Sequence, residues 1–537
     1  MTILQFSSSW IRRFGRLGLG LVLAAGLGPG RVSGQPAAVW SSPVPLSPQG
    51  EFSWFPDIAA DLTGQLHAVW ASGARAGRVT YDAVMYSTSA DGTVWSSPND
   101  IAVVSQGPSG ESAATRPTLL VDAANTLHIA YTDYFHVFYS QAWPEQAESA
   151  QGWTPVRDLG TGNPVYFSRI LTDHQGRLHL LFTENVYSRA CPQCYHVFYR
   201  WSDDNGLTWS LPVDISLSLA GSAKVQLVID AEDNLYAVWE SGRGGSYGGL
   251  EMESRVQFAA SYNRGQSWTT PVDPSPPLFS SENTESATPA AAPTPVPRVI
   301  LKNITIGLDG RGQLVLAWLG LPEDLVYSQV SADGGRTWSA PAPIPGVWGG
   351  QTVYNTRLDD YAMTTDSAGQ VHLLFVGRLV ESDKTLHVLH NSWDGATWSP
   401  PESLASYVGD VPEWPRLTTR LGNTLHAVWF VRNVDAVFGS DAASARYQVW
   451  YAQRPLEVPL VEPTILPRPT EVLATPTPAG MVTTPLPSPT VRPVLPAVVQ
   501  PQDPYNENDY ILIAAVSLTP VLLLIGVAWG IMRLRRR

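Results

Sequence analysis

The chain has 537 residues, more than one ordinary domain needs, and 34 Lys+Arg against 47 Asp+Glu give a formal net charge of −13. That acidic balance excludes a nucleic-acid partner, because phosphate binding needs a basic face. Two cysteines exclude a disulfide-built scaffold, and 10% aromatic with 15% charged residues exclude a wholly disordered chain. At the N-terminus, Arg12, Arg13 and Arg16 precede the apolar run Leu17 to Leu27, and the small residues of Val32-Ser33-Gly34 follow. This predicts a secretory signal peptide over residues 1–34, cleaved before Gln35; the short apolar run disfavours an uncleaved anchor.

Residues 35–454 carry a repeat. One pentapeptide pattern occurs seven times: Leu66 to Trp70, Leu127 to Tyr131, Leu178 to Phe182, Leu235 to Trp239, Leu314 to Trp318, Val371 to Phe375 and Leu425 to Trp429. Each is a short run of β-formers bounded by turn residues, which predicts a strand. Upstream of six of them an Asp is followed by a Gly or Asn turn, as in Asp61…Gly64 and Asp122…Asn125, with another apolar stretch before it. That predicts a hairpin. A third strand follows, as in Val84-Met85-Tyr86-Ser87 and Val197-Phe198-Tyr199-Arg200. After it comes a turn that ends in Trp.

In the third and fifth units that turn reads S-x-D-x-G-x-T-W, from Ser202 to Trp209 with Asp204, and from Ser331 to Trp338 with Asp333. Ser261 to Trp268 is a variant with Asn263. Asp91 with Trp95, and Asp394 with Trp398, stand in versions one residue shorter, and the second unit keeps only Gly152-Trp153. The acid's side chain can accept from the amides of its own turn, Gly supplies backbone freedom, and Trp plugs an apolar gap. The seventh unit reaches Tyr451 without a fourth strand. Val39-Trp40-Ser41-Ser42-Pro43 matches Val94-Trp95-Ser96-Ser97-Pro98, so the N-terminus is expected to supply it.

The remaining elements follow in order. Gly242 to Gly249 is Gly-rich, and Pro274 to Pro297 is a Pro/Ala/Ser/Thr-rich excursion. Residues 455–509 form a Pro/Thr-rich, stiff linker, of which Thr475-Pro476-Thr477-Pro478 is a sample. Residues 510–532 are apolar enough for one transmembrane helix, and the basic tail 533–537 is expected on the cytoplasmic side. The expected localisation is a single-pass cell-membrane protein with its repeat domain extracytoplasmic.

The Ser…Trp turns resemble the Asp-box, or BNR repeat, of sialidase-like β-propellers, over residues 36–454. The resemblance implies an all-β fold. Counting units makes it a seven-bladed β-propeller of four-stranded blades, closed by an N-terminal strand, plus one C-terminal transmembrane helix. Family sialidases resemble six-bladed rings, so seven units is a departure. The resemblance also implies that Asp91, Asp204, Asn263, Asp333 and Asp394 with Trp95, Trp209, Trp268, Trp338 and Trp398 are structural and remote from any active site.

A sialidase-like site grips a carboxylate with three arginines and uses an Asp and a Tyr/Glu pair for chemistry. The family's R-I-P motif is replaced here by Trp54-Phe55-Pro56, which disfavours hydrolysis. Loops entering first strands should ring one tunnel mouth. That nominates Arg116, Arg169, Arg416, Trp54, Asp359 and Glu413 as ligand-binding, with Asp360 and Trp414 beside them. Glu184 or Glu240 beside Tyr354 are the catalytic candidates. His67, His128, His179, His372 and His426 recur at one position per unit, so a ring disperses them and no metal is expected. No cofactor is expected either. Cys191 and Cys194 are read as a local disulfide, since a structural zinc needs four ligands. The leading function is a non-catalytic binding module for a glycan or surface protein. A sialidase-like glycoside hydrolase and a structural or assembly module are the alternatives.

Overall fold

The computed structural model describes residues 39–73, 82–104, 115–187, 194–217, 221–242, 254–275, 300–351, 358–438 and 444–468. The expected signal peptide, transmembrane helix and basic tail lie outside them, as do the linker beyond Arg468, Cys191 and Tyr354. Among the described residues no helix is long and apolar enough to cross a membrane.

The architecture is all-β and β-propeller-like, with several antiparallel sheets; among the described residues the one α-helix is Val434–Phe438. Each pentapeptide is a second strand: Leu66–Gly73, Leu127–Thr132, Leu178–Val186, Leu235–Gly242, Leu314–Leu321, Val371–Gly377 and Thr424–Arg432. Each pairs antiparallel with a first strand before it. Each also pairs antiparallel with a third strand after it. These strands are buried on both faces, which is why they read as continuous apolar runs rather than alternating ones. Trp70, Trp239, Trp318 and Trp429 at their ends are fully buried.

The first-to-second turns follow from the Asp. Asp61 Oδ1 accepts from the amides of Thr63 and Gln65, both at 2.8 Å. Asp122, Asp173, Asp230, Asp309 and Asp366 repeat that pattern. The repeated histidines serve their own units. Nδ1 of His67, His128, His179 and His426 meets the hydroxyl of Tyr86, Tyr139, Tyr199 and Tyr451 at 2.6–2.8 Å. His372 meets His390 Nε2 at 2.9 Å instead.

The Ser…Trp turns are joints between units. The amide of Thr208 donates to Asp204 Oδ1 at 2.8 Å and the amide of Gly206 to Ser202 Oγ at 2.9 Å. Trp209 then meets Tyr139 of the preceding unit edge-on at 5.1 Å. Trp95 on Tyr451, Trp268 on Tyr199 and Trp338 on Phe258 repeat this at 5.0–5.2 Å. Trp398 Nε1 donates to Ser328 Oγ at 2.9 Å, and Trp153 and Trp40 lie against Tyr86 and His390. The N-terminal segment pairs as its match to Val94–Pro98 predicts: Val44 opposes Tyr451 and the Ser41 amide donates to Gln453 O at 2.8 Å. Cys194, fully buried at the start of a third strand, is disulfide-bonded.

Candidate functional site

First strands define the axis of the sheet array, and five of them share a distortion. Register shifts fall between Trp54 and Asp57, Val165 and Ser168, Ala223 and Gln226, Lys302 and Thr305, and Glu413 and Arg416. In four of these one non-glycine residue has positive φ: Phe55 (49°), Lys224 (49°), Asn303 (56°) and Trp414 (58°). Such bulges re-aim side chains, and a left-handed backbone at a non-glycine costs about 1–3 kcal/mol that surrounding contacts must offset. The four residues are buried, and they stand six positions ahead of Asp61, Asp230, Asp309 and Arg420. Arg116, Phe167 and Asp360 hold the same place ahead of Asp122, Asp173 and Asp366. One side chain per unit therefore converges on a common throat.

Half of that throat is aromatic. The Arg116 guanidinium lies 3.8 Å from the centroid of Tyr166, 4.0 Å from Phe55, 5.0 Å from Phe167 and 5.7 Å from Trp414. These are cation–π distances, worth about 2 kcal/mol or more when desolvated. The cage is filled by the protein's own arginine.

The other half is polar. Lys224 Nζ donates to Asn303 Oδ1 at 2.6 Å and lies 3.3 Å from Glu240. The Asn303 amide donates to Glu240 Oε1 at 2.5 Å, and its side-chain amide donates to Asp359 Oδ2 at 3.1 Å. Asp360 Oδ2 accepts from Arg416 at 2.9 Å and from Gln226 at 3.0 Å. Gln226 in turn accepts from Arg169 at 2.8 Å, which sits 3.8 Å from Asp57. Arg432 grips Glu413 at 2.5 and 2.9 Å. Burial pushes the carboxyl of Asp359 well above its ordinary range, and the Glu413 charge adds to this. Burial raises Asp360 against the pull of Arg416, and raises Glu413 against Arg432. Burial lowers Arg169 to about 10, helped by neighbouring Arg416, and lowers Lys302 to about 8. Below this throat a cavity of about 300 Å³ is lined by Asp57, Arg169, Gln226 and Arg416, with Leu120 and Leu171 on its wall.

The structure thus brings Arg116, Arg169, Arg416, Asp359, Glu413 and Glu240 to one axis. Trp54 lies at its edge, stacked 5.1 Å from Phe55. Glu184 works within the third unit, accepting the amides of Thr161 (3.0 Å) and Asn163 (3.1 Å). Tyr354 lies outside the described residues, so its pairing with a Glu does too. Phe55, Asp57, Tyr166, Phe167, Lys224, Gln226 and Asn303 are members that the motifs did not single out. For Phe55, Phe167, Lys224 and Asn303 the available signal was a place six residues ahead of the turn residue, and for Asp57 and Gln226 a place four ahead. Asn303, in the sequon Asn303-Ile304-Thr305, is 1% exposed and spent on this network.

No family model matches the chain, and no curated protein does. Among solved structures, a protein of unknown function from Dyadobacter fermentans is 12% identical, covering 79% of this chain and 100% of its own, with a TM-score of 0.46. A family PL25 ulvan lyase bound to -[GlcA(1-4)Rha3S]- is 11% identical, covering 74% and 95%, with a TM-score of 0.48. The intramolecular trans-sialidase from Ruminococcus gnavus is 13% identical, covering 79% and 98%, with a TM-score of 0.38. Likenesses this distant transfer no activity to the chain.

Proposed function

We propose that this chain is an exported, membrane-anchored, seven-bladed β-propeller that acts as a non-catalytic binding module for a glycan or a surface protein. Seven tryptophan joints, one per repeat, support the blade count. The segment patterns of residues 1–34 and 510–537 support export and anchoring.

One observation carries the non-catalytic reading: the arginines that a carboxylate grip would use are already committed. Arg116 fills an aromatic cage, Arg416 holds Asp360, and Arg169 holds Gln226 beside Asp57. Opening Arg416 or Arg169 to a substrate would leave the buried carboxylate of Asp360 or Asp57 unpaired, which costs about 3–5 kcal/mol for each pair broken. Recognition then belongs to the end of the array where second strands pass to third and fourth pass to first. Among the described residues, connections there range from Pro322–Asp324 to Arg378–Thr385, whereas the opposite end carries Asp turns in six units and Ser…Trp turns in five. Variable loops on a rigid scaffold are where binding specificity is placed.

The test is hydrolysis of a fluorogenic sialoside by the full chain, followed by a screen of the same protein on immobilised glycans and cell-surface proteins. Retention without hydrolysis is the expected result. Turnover that Arg169→Ala abolishes in a folded variant sinks the non-catalytic reading.

A further inference from the structure

The last strand ends at Pro455, yet the chain stays on the domain. The Leu456 amide donates to Asn423 O at 2.8 Å, that of Val461 to Leu421 O at 2.9 Å and that of Leu466 to Ala123 O at 2.8 Å. Ser367 Oγ donates to Pro459 O. Arg468 forms a two-pronged pair with Glu145 at 2.6 and 3.1 Å and lies 4.5 Å over Trp143. Pro455, Pro459, Pro463 and Pro467 recur at every fourth position and keep the segment extended.

The anchoring residues fall in a pattern. Ser367, Leu421 with Asn423, and Ala123 belong to first-to-second turns of the sixth, seventh and second units. Those turns rim one end of the tunnel. Adjacent rims are themselves linked: Ser367 N to Gly422 O at 2.9 Å, and Gly310 N to Gly369 O at 2.9 Å. From Val461 to Leu466 the chain can span at most roughly 17 Å. It passes from the turn of the seventh unit to that of the second, on either side of the first, so it crosses the turn end of the array.

The cavity faces the same end. Its wall residues Leu120, Leu171, Val228 and Thr418 are only half-buried. At the opposite end Phe55, Arg116, Lys224, Asn303, Asp360 and Trp414 are all buried and close the throat. Entry to Arg169 and Arg416 is therefore from the turn end.

We infer that Leu456–Arg468 is a strap laid across the turn end of the tunnel, controlling access to the cavity that holds Arg169 and Arg416. This rests on the ring arrangement and not on what the loop-bearing end binds. The strap is held by three backbone bonds, one hydroxyl and one exposed ion pair, with Leu460, Val461, Ile465 and Leu466 about half-exposed. Few buried contacts mean it can open while the sheets stay intact.

The test is reaction of the full chain with phenylglyoxal, an arginine-selective dicarbonyl, read by peptide mass mapping. Leu466→Pro removes one amide donor and Arg468→Ala removes the ion pair; Arg468→Ala and Glu145→Ala alone, both at surface side chains, repeat the measurement should the proline disturb the fold. On release of the strap, modification of Arg169 and Arg416 should rise on the order of tenfold, as expected for a locally gated site. Exposed Arg336 should react equally in all forms, and caged Arg116 should stay protected in all. Equal reactivity of Arg169 and Arg416 with the strap intact and released overturns the inference, whatever the sialoside and glycan experiments show.

Discussion

His390 stands where the first, second, third and seventh units place Tyr86, Tyr139, Tyr199 and Tyr451. It faces His372 at 2.9 Å, Glu402 at 3.2 Å and Arg454 at 3.2 Å, with Trp40 edge-on and Asp366 behind His372 at 3.1 Å. Burial holds its imidazole neutral, lowering its titration to about 4. The unfolded chain takes up that proton near pH 6.5, so between about pH 6.5 and 4 the unfolded state binds more protons. Stability must therefore fall as pH falls through that window. His390→Tyr restores the joint used elsewhere and should flatten this part of the profile; urea unfolding at pH 7 and pH 5 compares the two proteins. The same sign applies to His426, lowered to about 3 by burial, which His390→Tyr leaves in place. At another residue, Gly335 has φ +85°, and a Cβ there would lie 2.1 Å from Phe258 Cζ. Gly335→Ala should cost about 2 kcal/mol, through both the left-handed backbone and the clash.

At the level of elements, the unit of assembly is the Ser…Trp turn docked on the third strand of the unit before it. Its Trp contributes apolar area on a neighbour, while its Asp or Asn only holds the hairpin's shape. Trp338→Ala should cost about 2–3 kcal/mol, below the range for a fully buried Trp because the ring is half-exposed. Asp333→Asn should be milder, since Asn263 makes the equivalent bond to the Ser267 amide at 2.9 Å. Equilibrium unfolding in urea ranks the two; equal losses would mean that turn shape rather than packing sets the joint's strength. The first strands are elements of a second kind, with bulges that trade regular pairing for side chains aimed at the axis. The second unit departs from the rest. Two short 3-10 turns, Pro144–Gln146 and Ala150–Gly152, replace its Ser…Trp turn, and Trp153 Nε1 finds Ala147 O at 2.9 Å.

For the whole molecule, the joint between the seventh and first units brings together residues more than 300 positions apart. Trp95 meets Tyr451 at 5.0 Å, Arg420 Nε donates to Gly64 O at 2.5 Å, and the strand Val44–Pro45 completes the seventh sheet. Removing residues 39–47 exposes the edge of Tyr447–Pro455 and should lower the melting temperature by several degrees, with association of the exposed edges at high concentration. Calorimetry with light scattering checks both; an unchanged melting temperature would mean that the other closure contacts suffice. What the sequence determined alone was local: pentapeptide strands, Asp-held hairpins, Ser…Trp turns and the match of Val39–Pro43 to Val94–Pro98. Each depends on residues within a few positions of one another, where β-propensity and turn chemistry act. The repeat also put the repeated histidines at one position per unit, and each bonds to a third-strand side chain of its own unit. Arg116, Arg169 and Arg416 were legible as residues near the axis, but their states were not. Whether an arginine is offered to a ligand or stacked between Phe55 and Tyr166 depends on side chains from different units, brought together by bulges that no local pattern announces. Residues 456–468 read as linker for the same reason: only the tertiary structure supplies the turns at Leu421, Ser367 and Ala123 that turn an extended, proline-rich run into part of the domain.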